Sequence, residues 1–307
     1  MRGILANQSL GIKLIALLAL GLFGYVTFSA VGLVAMKGLY GVGAGDLAEM
    51  LDNLDRASGP VLRLVQGFIT LGIFLFPALM GAHLFSADPG HFLAVDRFPR
   101  PAWLHVLWLT LLALGSGLLS DWLYRLGMQL EWPAAFSGFE QYFRASEQMM
   151  HRQYRILLQM DSFASFLQVL TVMALLPALA EEALFRGVIQ PLFQRGAGQH
   201  RGIFLTALAF AVLHQQISAF LPIFALGLVL GYVRQCSGSL WAPSLMHFVN
   251  NAAIVVSAYF FDQAYLDEGS LAEESPWWSS VGLFLFFLLL AAYALWQKKT
   301  PASAGEN

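Results

Sequence analysis

The sequence predicts an all-α, polytopic membrane protein of about eight transmembrane helices. Composition, the length of the apolar runs and the sorting of charges between them predict it. Of 307 residues, 58% are hydrophobic and 12% charged, and the mean hydropathy is +0.63. A soluble domain carries about 45–50% apolar and about 25% charged residues. A net charge of −2 makes nucleic acid an unsuitable partner. The single cysteine, Cys236, excludes an internal disulfide and any Cys-based zinc site, and reads as a small buried or interfacial residue.

The first apolar run, 11–36, is longer than the core of a signal peptide, about 7–15 residues, and is read as a retained first span. Further runs lie at 62–87, 102–120, 162–190, 202–217, 219–234, 240–261 and 277–296. The last opens on Trp277 and Trp278 and closes on Trp296, an interfacial belt, with Lys298 and Lys299 beyond it. With the N-terminus in the cytoplasm, Arg2, Lys13, Arg97, Arg100, Arg195, Arg201, Arg234, Lys298 and Lys299 share the inner side. Asp46, Glu49, Asp52, Asp55, Asp262, Asp267, Glu268, Glu273 and Glu274 fall outside. The positive-inside rule favours this arrangement, with both termini cytoplasmic in a cell (inner) membrane.

Two loops carry structure of their own. Asp46 followed by Glu49 reads as a capping box opening a short amphipathic helix on Leu47, Met50, Leu51 and Leu54. The stretch 121–160, rich in Trp, Tyr, Phe and Arg, reads as an interfacial helix or lid. We expect one membrane-embedded domain over 1–300 and a disordered tail over 301–307.

Within the apolar body stand polar residues that packing does not call for. Glu181 and Glu182 are adjacent, His214 lies in the next run, and His247 and Asn251 in a later one. A carboxylate at the centre of a membrane helix costs about 2.5–3.5 kcal/mol on insertion scales, so such residues mark reaction sites or ion paths. The 32 residues between Arg201 and Arg234 extend about 48 Å as helix, short of the about 60 Å two spans need, which thins the bilayer or leaves a cavity. Gly227 and Gly231 form a small-xxx-small pair suited to close helix packing.

Measured from the cytoplasmic ends, Glu181 lies about 15 Å deep, His214 about 20 Å, and His247 and Asn251 about 14 and 20 Å. Comparable depth on three helices argues for one site open to the cytoplasm. Glu182 and Arg186 are an i,i+4 pair on one face and can neutralise each other; Glu181 is rotated about 100° away and can face His214. His247 and Asn251 are also i,i+4, and Phe210 stands one turn before His214, where it can wall the site. Pro177 frees a backbone carbonyl one turn before Glu181. Asp161 and Gln215 are left without a role. His83, His91, His105, His151 and His200 sit near run ends or in loops and are read as surface or interfacial.

A carboxylate and a neutral imidazole can hold and deprotonate water, while a second imidazole and an amide can stabilise the oxyanion formed at a carbonyl. That chemistry is a peptidase without a covalent nucleophile. Glu181, His214 and His247 can equally hold a divalent metal, zinc being the natural candidate, although HExxH and its inverse are absent. An intramembrane Glu and His also suit a transporter or proton-coupled carrier, but no inverted repeat supports that reading.

Glu181-Glu182-x-x-x-Arg186, then Phe210-x-x-x-His214, then His247-x-x-x-Asn251 resembles the three-motif signature of the CPBP intramembrane proteases. This is the CAAX-protease and bacteriocin-processing family, which includes the type II CAAX prenyl endopeptidases. Gly238-Ser-Leu-Trp241-Ala-Pro243 resembles the approach to the last motif, and the likeness covers about 175–255. The resemblance implies a conical or cavity-containing helical bundle and an endopeptidase acting on a membrane-bound protein or peptide. It implies that Glu181 and His214 activate water, that His247 and Asn251 bind the oxyanion, and that Glu182 and Arg186 support them. It leaves open a metalloprotease or a metal-free glutamate mechanism, and a non-catalytic scaffold or bacteriocin-immunity protein is the remaining class.

Overall fold

A computed structural model describes residues 2–52, 58–97, 102–129, 133, 135 and 137–260, together with 286, 289, 290, 292, 293 and 296. Among them there are helices and no strand. The helices are α1 (Leu10–Tyr40), α2 (Ala44–Asp52), α3 (Gly59–Phe85), α4 (Pro89–Leu93) and α5 (Ala102–Met128), then α6 (Ser137–Leu157), α7 (Phe163–Ala197), α8 (Gln199–Leu213), α9 (Phe220–Ser237) and α10 (Trp241–Phe260). Five of these, α1, α3, α5, α7 and α9, are long and apolar enough to cross a membrane. These five spans make this an integral membrane protein. The expected span at 202–217 forms as α8, only 15 residues long. The expected span at 240–261 forms as the 20-residue α10, whose His and Asn residues lower its hydropathy. The tail at 301–307 and most of the run at 277–296 lie outside the described residues.

Contacts divide the chain into two compact units, each assembled from separated stretches. The first holds Met1–Pro89, Arg144–Leu184 and Asn251–Leu266; the second holds Gly90–Phe143, Phe185–Asn250 and Asp267–Asn307.

In the first unit α1 packs along α3. Ser9 caps α1, accepting from the Ile12 N–H, and Gly41 ends it in the left-handed region at φ 70°. The two helices meet backbone to backbone, because a Cβ on Gly24 would overlap the Gly72 carbonyl oxygen and one on Gly72 would overlap that of Gly24. Gly72→Val is therefore expected to destabilise the protein by about 1–3 kcal/mol or more. Thermal unfolding in detergent checks this against Gly11→Val, since nothing lies within 4 Å of a Cβ at Gly11. The short helix α2 begins two residues before Asp46. That carboxylate therefore sits inside the first turn and accepts from the Gly43 N–H at 2.7 Å, instead of serving as N-cap as the capping-box reading had it.

Both α3 and α7 contain π segments, at Leu71–Leu75, Leu170–Leu175 and Ala183–Ile189. Each ends shortly before a proline, Pro77, Pro177 and Pro191. Proline cannot donate, and its ring crowds the carbonyl four residues back. The turn before it widens, so that the N–H of Phe76 reaches back to Leu71 and that of Leu176 to Thr171. Through the stretch Leu176–Glu182, α7 packs on α3.

The second unit buries Leu109, Leu112 and Ala113 of α5 against Leu230 and Val233 of α9 and Met246 of α10. His105 is not superficial, as its place near a run end suggested. It is 4% exposed and its ring lies 4.5 Å from that of Trp296. Cys236, expected to be buried or interfacial, is exposed near the end of α9.

Candidate active site

The predicted residues divide between the units: Glu181, Glu182 and Asn251 belong to the first, Arg186, Phe210, His214 and His247 to the second.

In the first unit both glutamates are buried at the end of the α7 stretch that packs on α3. Glu181 is 9% exposed and Glu182 fully buried. The Oε2 of Glu181 is buried without a hydrogen-bond partner among the described residues. A desolvated carboxylate oxygen costs several kcal/mol unless something donates to it, so this oxygen is suited to holding a donor such as water. Asn251 lies in the middle of α10 and is half-buried.

The second unit gathers Arg186, His214 and His247 around the ring of Phe210. Phe210 is 1% exposed and touches three of the others or their neighbours. The Arg186 guanidinium stands 4.7 Å from its centroid, the His214 ring 4.5 Å, and the His247 ring 6.1 Å at 83°. Phe185 meets it edge-on at 5.0 Å. Arg186 is fully buried and donates through Nη2 to the Gly227 carbonyl at 3.0 Å. One turn on, Gln190 donates to the Gly231 carbonyl at 3.1 Å. The small-xxx-small pair thus does two things. It brings α9 close to Ala207 and Ile203 of α8, and it presents two carbonyl oxygens to α7. Sequence reasoning read only the first, and Gln190 was not among its candidates; its position four residues after Arg186 was the available signal.

His214 is not inside a helix as the run 202–217 suggested. It is the C-cap of α8, and Gln215 after it adopts a left-handed φ of 55°. Its Nδ1 lies 2.7 Å from the Phe210 carbonyl oxygen. A carbonyl only accepts, so Nδ1 carries the proton and, in the neutral ring, Nε2 holds the free lone pair. His247 is 4% exposed on α10. Its neighbour Asn250 accepts through Oδ1 from the Ser116 hydroxyl of α5 at 3.3 Å.

The segment over this family of motifs is what known proteins share. Residues 163–253 match the Rce1-like family of type II CAAX prenyl endopeptidases. All seven candidates fall within that Rce1-like segment, which runs from the first residue of α7 into α10. In that segment the chain is similar to a family of CAAX-type endopeptidases. A curated relative, an uncharacterized protein YpbD of Bacillus subtilis (strain 168), is 33% identical over 92 residues, covering 29% of this chain and 44% of that protein. The chain thus spans less than half the length of that relative. No solved structure matches.

Among the described residues no three His, Cys, Asp or Glu side chains converge into a metal-binding group.

Proposed function

We propose that this protein is an intramembrane endopeptidase that cleaves a membrane-associated protein or peptide, with CAAX-type C-terminal processing as the reaction class, by water activation on Glu181. The carrying observation is that all seven candidate residues lie inside the Rce1-like segment 163–253. Glu181 supplies the base: its buried Oε2 takes a proton from water. His214 assists through Nε2, since Nδ1 is committed to the Phe210 carbonyl. His247 and Asn251 donate to the oxygen of the scissile carbonyl as it becomes an oxyanion. Glu182 and Arg186 play the supporting role, and Phe210 holds Arg186, His214 and His247 together. The proton taken by Glu181 passes to the leaving amine, so the cycle needs no covalent intermediate.

The same proposal places one membrane-embedded domain over 1–300 in the cell membrane, both termini cytoplasmic, as the sorting of Lys and Arg suggests. Turnover is expected to survive verified metal removal; elemental analysis of the chelated protein beside its activity checks this, and loss restored by zinc alone would reverse it. The function itself is tested by comparing membrane-protein termini in cells carrying the wild type and Glu181→Gln. New C-termini found only with the wild type are expected, and identical termini in both would exclude the peptidase reading.

A further inference from the structure

A second polar site, independent of the peptidase reading, lies in the first unit. A cavity of about 510 Å³ opens between the starts of α3 and α7, lined by Pro60, Arg63, Gln159, Asp161, Ser165 and Gln168. Arg63 is only 3% exposed. Its Nε donates to Gln168 Oε1 at 3.1 Å, and its Nη1 to the carbonyls of Leu157 at 3.2 Å and Gln159 at 3.0 Å. Those bonds fix the guanidinium plane and leave Nη2 without a hydrogen-bond partner among the described residues. Arg63 makes no direct ion pair among them, and only the charge of Asp161 and the Tyr40 phenol act on it from further away. The acid in the cavity, Asp161, is exposed.

A buried cation without a paired anion is costly, and more so beside a membrane. The wall also offers an acceptor, because Gln159 Oε1 is buried and receives no hydrogen bond among the described residues. A fitting ligand therefore brings a negative charge and a hydrogen-bond donor together.

Depth says where that ligand comes from. Helices α3 and α7 are 27 and 35 residues long and apolar enough to cross a membrane, and the cavity sits at their first turns. It therefore lies where lipid headgroups lie. An exposed apolar line runs along α7 from the same end of the helix: Phe163 at 63%, Leu167 at 46%, Leu175 at 41% and Leu179 at 37%. That line is a bed for an acyl chain. The volume falls within the about 300–1,000 Å³ of small-molecule sites.

We propose that this cavity binds the phosphate of an anionic lipid headgroup on Arg63, with Gln159 accepting from a headgroup hydroxyl.

The test uses the full-length protein purified in detergent, with native mass spectrometry and thermal unfolding against added phosphatidylglycerol, diacylglycerol and inorganic phosphate. Phosphatidylglycerol is expected to be retained and to raise the unfolding temperature; diacylglycerol, which lacks the phosphate, is not. Arg63→Gln is expected to weaken phosphatidylglycerol about tenfold or more. Since Arg63 also ties α3 to the chain around Leu157, a second variant acts in the opposite sense. Asp161→Asn removes an exposed negative charge from the cavity and is expected to tighten binding about two- to fivefold, which misfolding does not mimic. Equal retention of diacylglycerol, or binding unchanged in both variants, overturns the proposal. Inorganic phosphate binding as tightly as the lipid overturns the assignment to a headgroup.

Discussion

Glu181→Gln is expected to lower peptide turnover by about 10²–10⁴-fold while the protein stays folded. The amide keeps the size and one acceptor of the carboxylate but cannot take a proton. Because Oε2 is buried without a partner among the described residues, replacing it removes a desolvated charge and breaks no hydrogen bond at that atom. Unfolding temperature is therefore expected to hold or rise as activity falls, a combination that a purely structural role does not produce. The measurement is cleavage of a peptide by purified wild type and variant, with thermal unfolding of the same samples. Unchanged turnover would remove Glu181 from the base role.

Arg186→Leu is expected to act the other way round, through stability. The side chain is fully buried, donates to the Gly227 carbonyl and lies 4.7 Å from the Phe210 ring. A hydrogen bond from a charged group is worth about 1.5–3 kcal/mol and a desolvated cation–π contact about 2 kcal/mol. A loss of at least about 3 kcal/mol is the expected result, read as the shift in the unfolding midpoint. Arg186→Lys should recover only part of it, because an ammonium cannot both lie flat on Phe210 and reach Gly227. Phe210 also touches His214 and His247, so residual activity in the folded fraction is expected to fall as well. A neutral effect on the midpoint would mean that the ring and carbonyl contacts do not hold the second unit together.

Much of the helical framework could be read from hydropathy, because a membrane selects for apolar length and little else. The expected runs at 11–36, 219–234 and 240–261 form as α1, α9 and α10 within a few residues of their ends. What the sequence did not disclose depends on hydrogen-bond register. The break after Leu213 rests on the left-handed Gln215, for which an unremarkable glutamine gives no warning. The α-helical phase assumed between Glu182 and Arg186 does not hold, since Ala183–Ile189 is a π segment. Hydrophobicity does not report a change from i+4 to i+5 bonding, although Pro191 was a cue. The chemistry of the candidate residues was legible because charged and amide groups are scarce in such helices. The role of Phe210 as the ring on which Arg186, His214 and His247 converge was legible only as a possible wall. Arg63 is a single charge at the edge of an apolar run, and its polar surroundings come from the distant residues Leu157, Gln159 and Gln168.

The widened turns in α3 and α7 also bear on how this chain can change length. Each π segment holds more residues per turn than the helix around it. Removing one residue from Leu170–Leu175 can therefore be absorbed by tightening that turn, leaving Glu181 at nearly the same azimuth. The same deletion in a regular stretch such as Leu10–Tyr40 would swing every later side chain by about 100°. Such turns give a membrane helix spare slack, and here the slack lies within two turns of the residue on which the proposed chemistry depends.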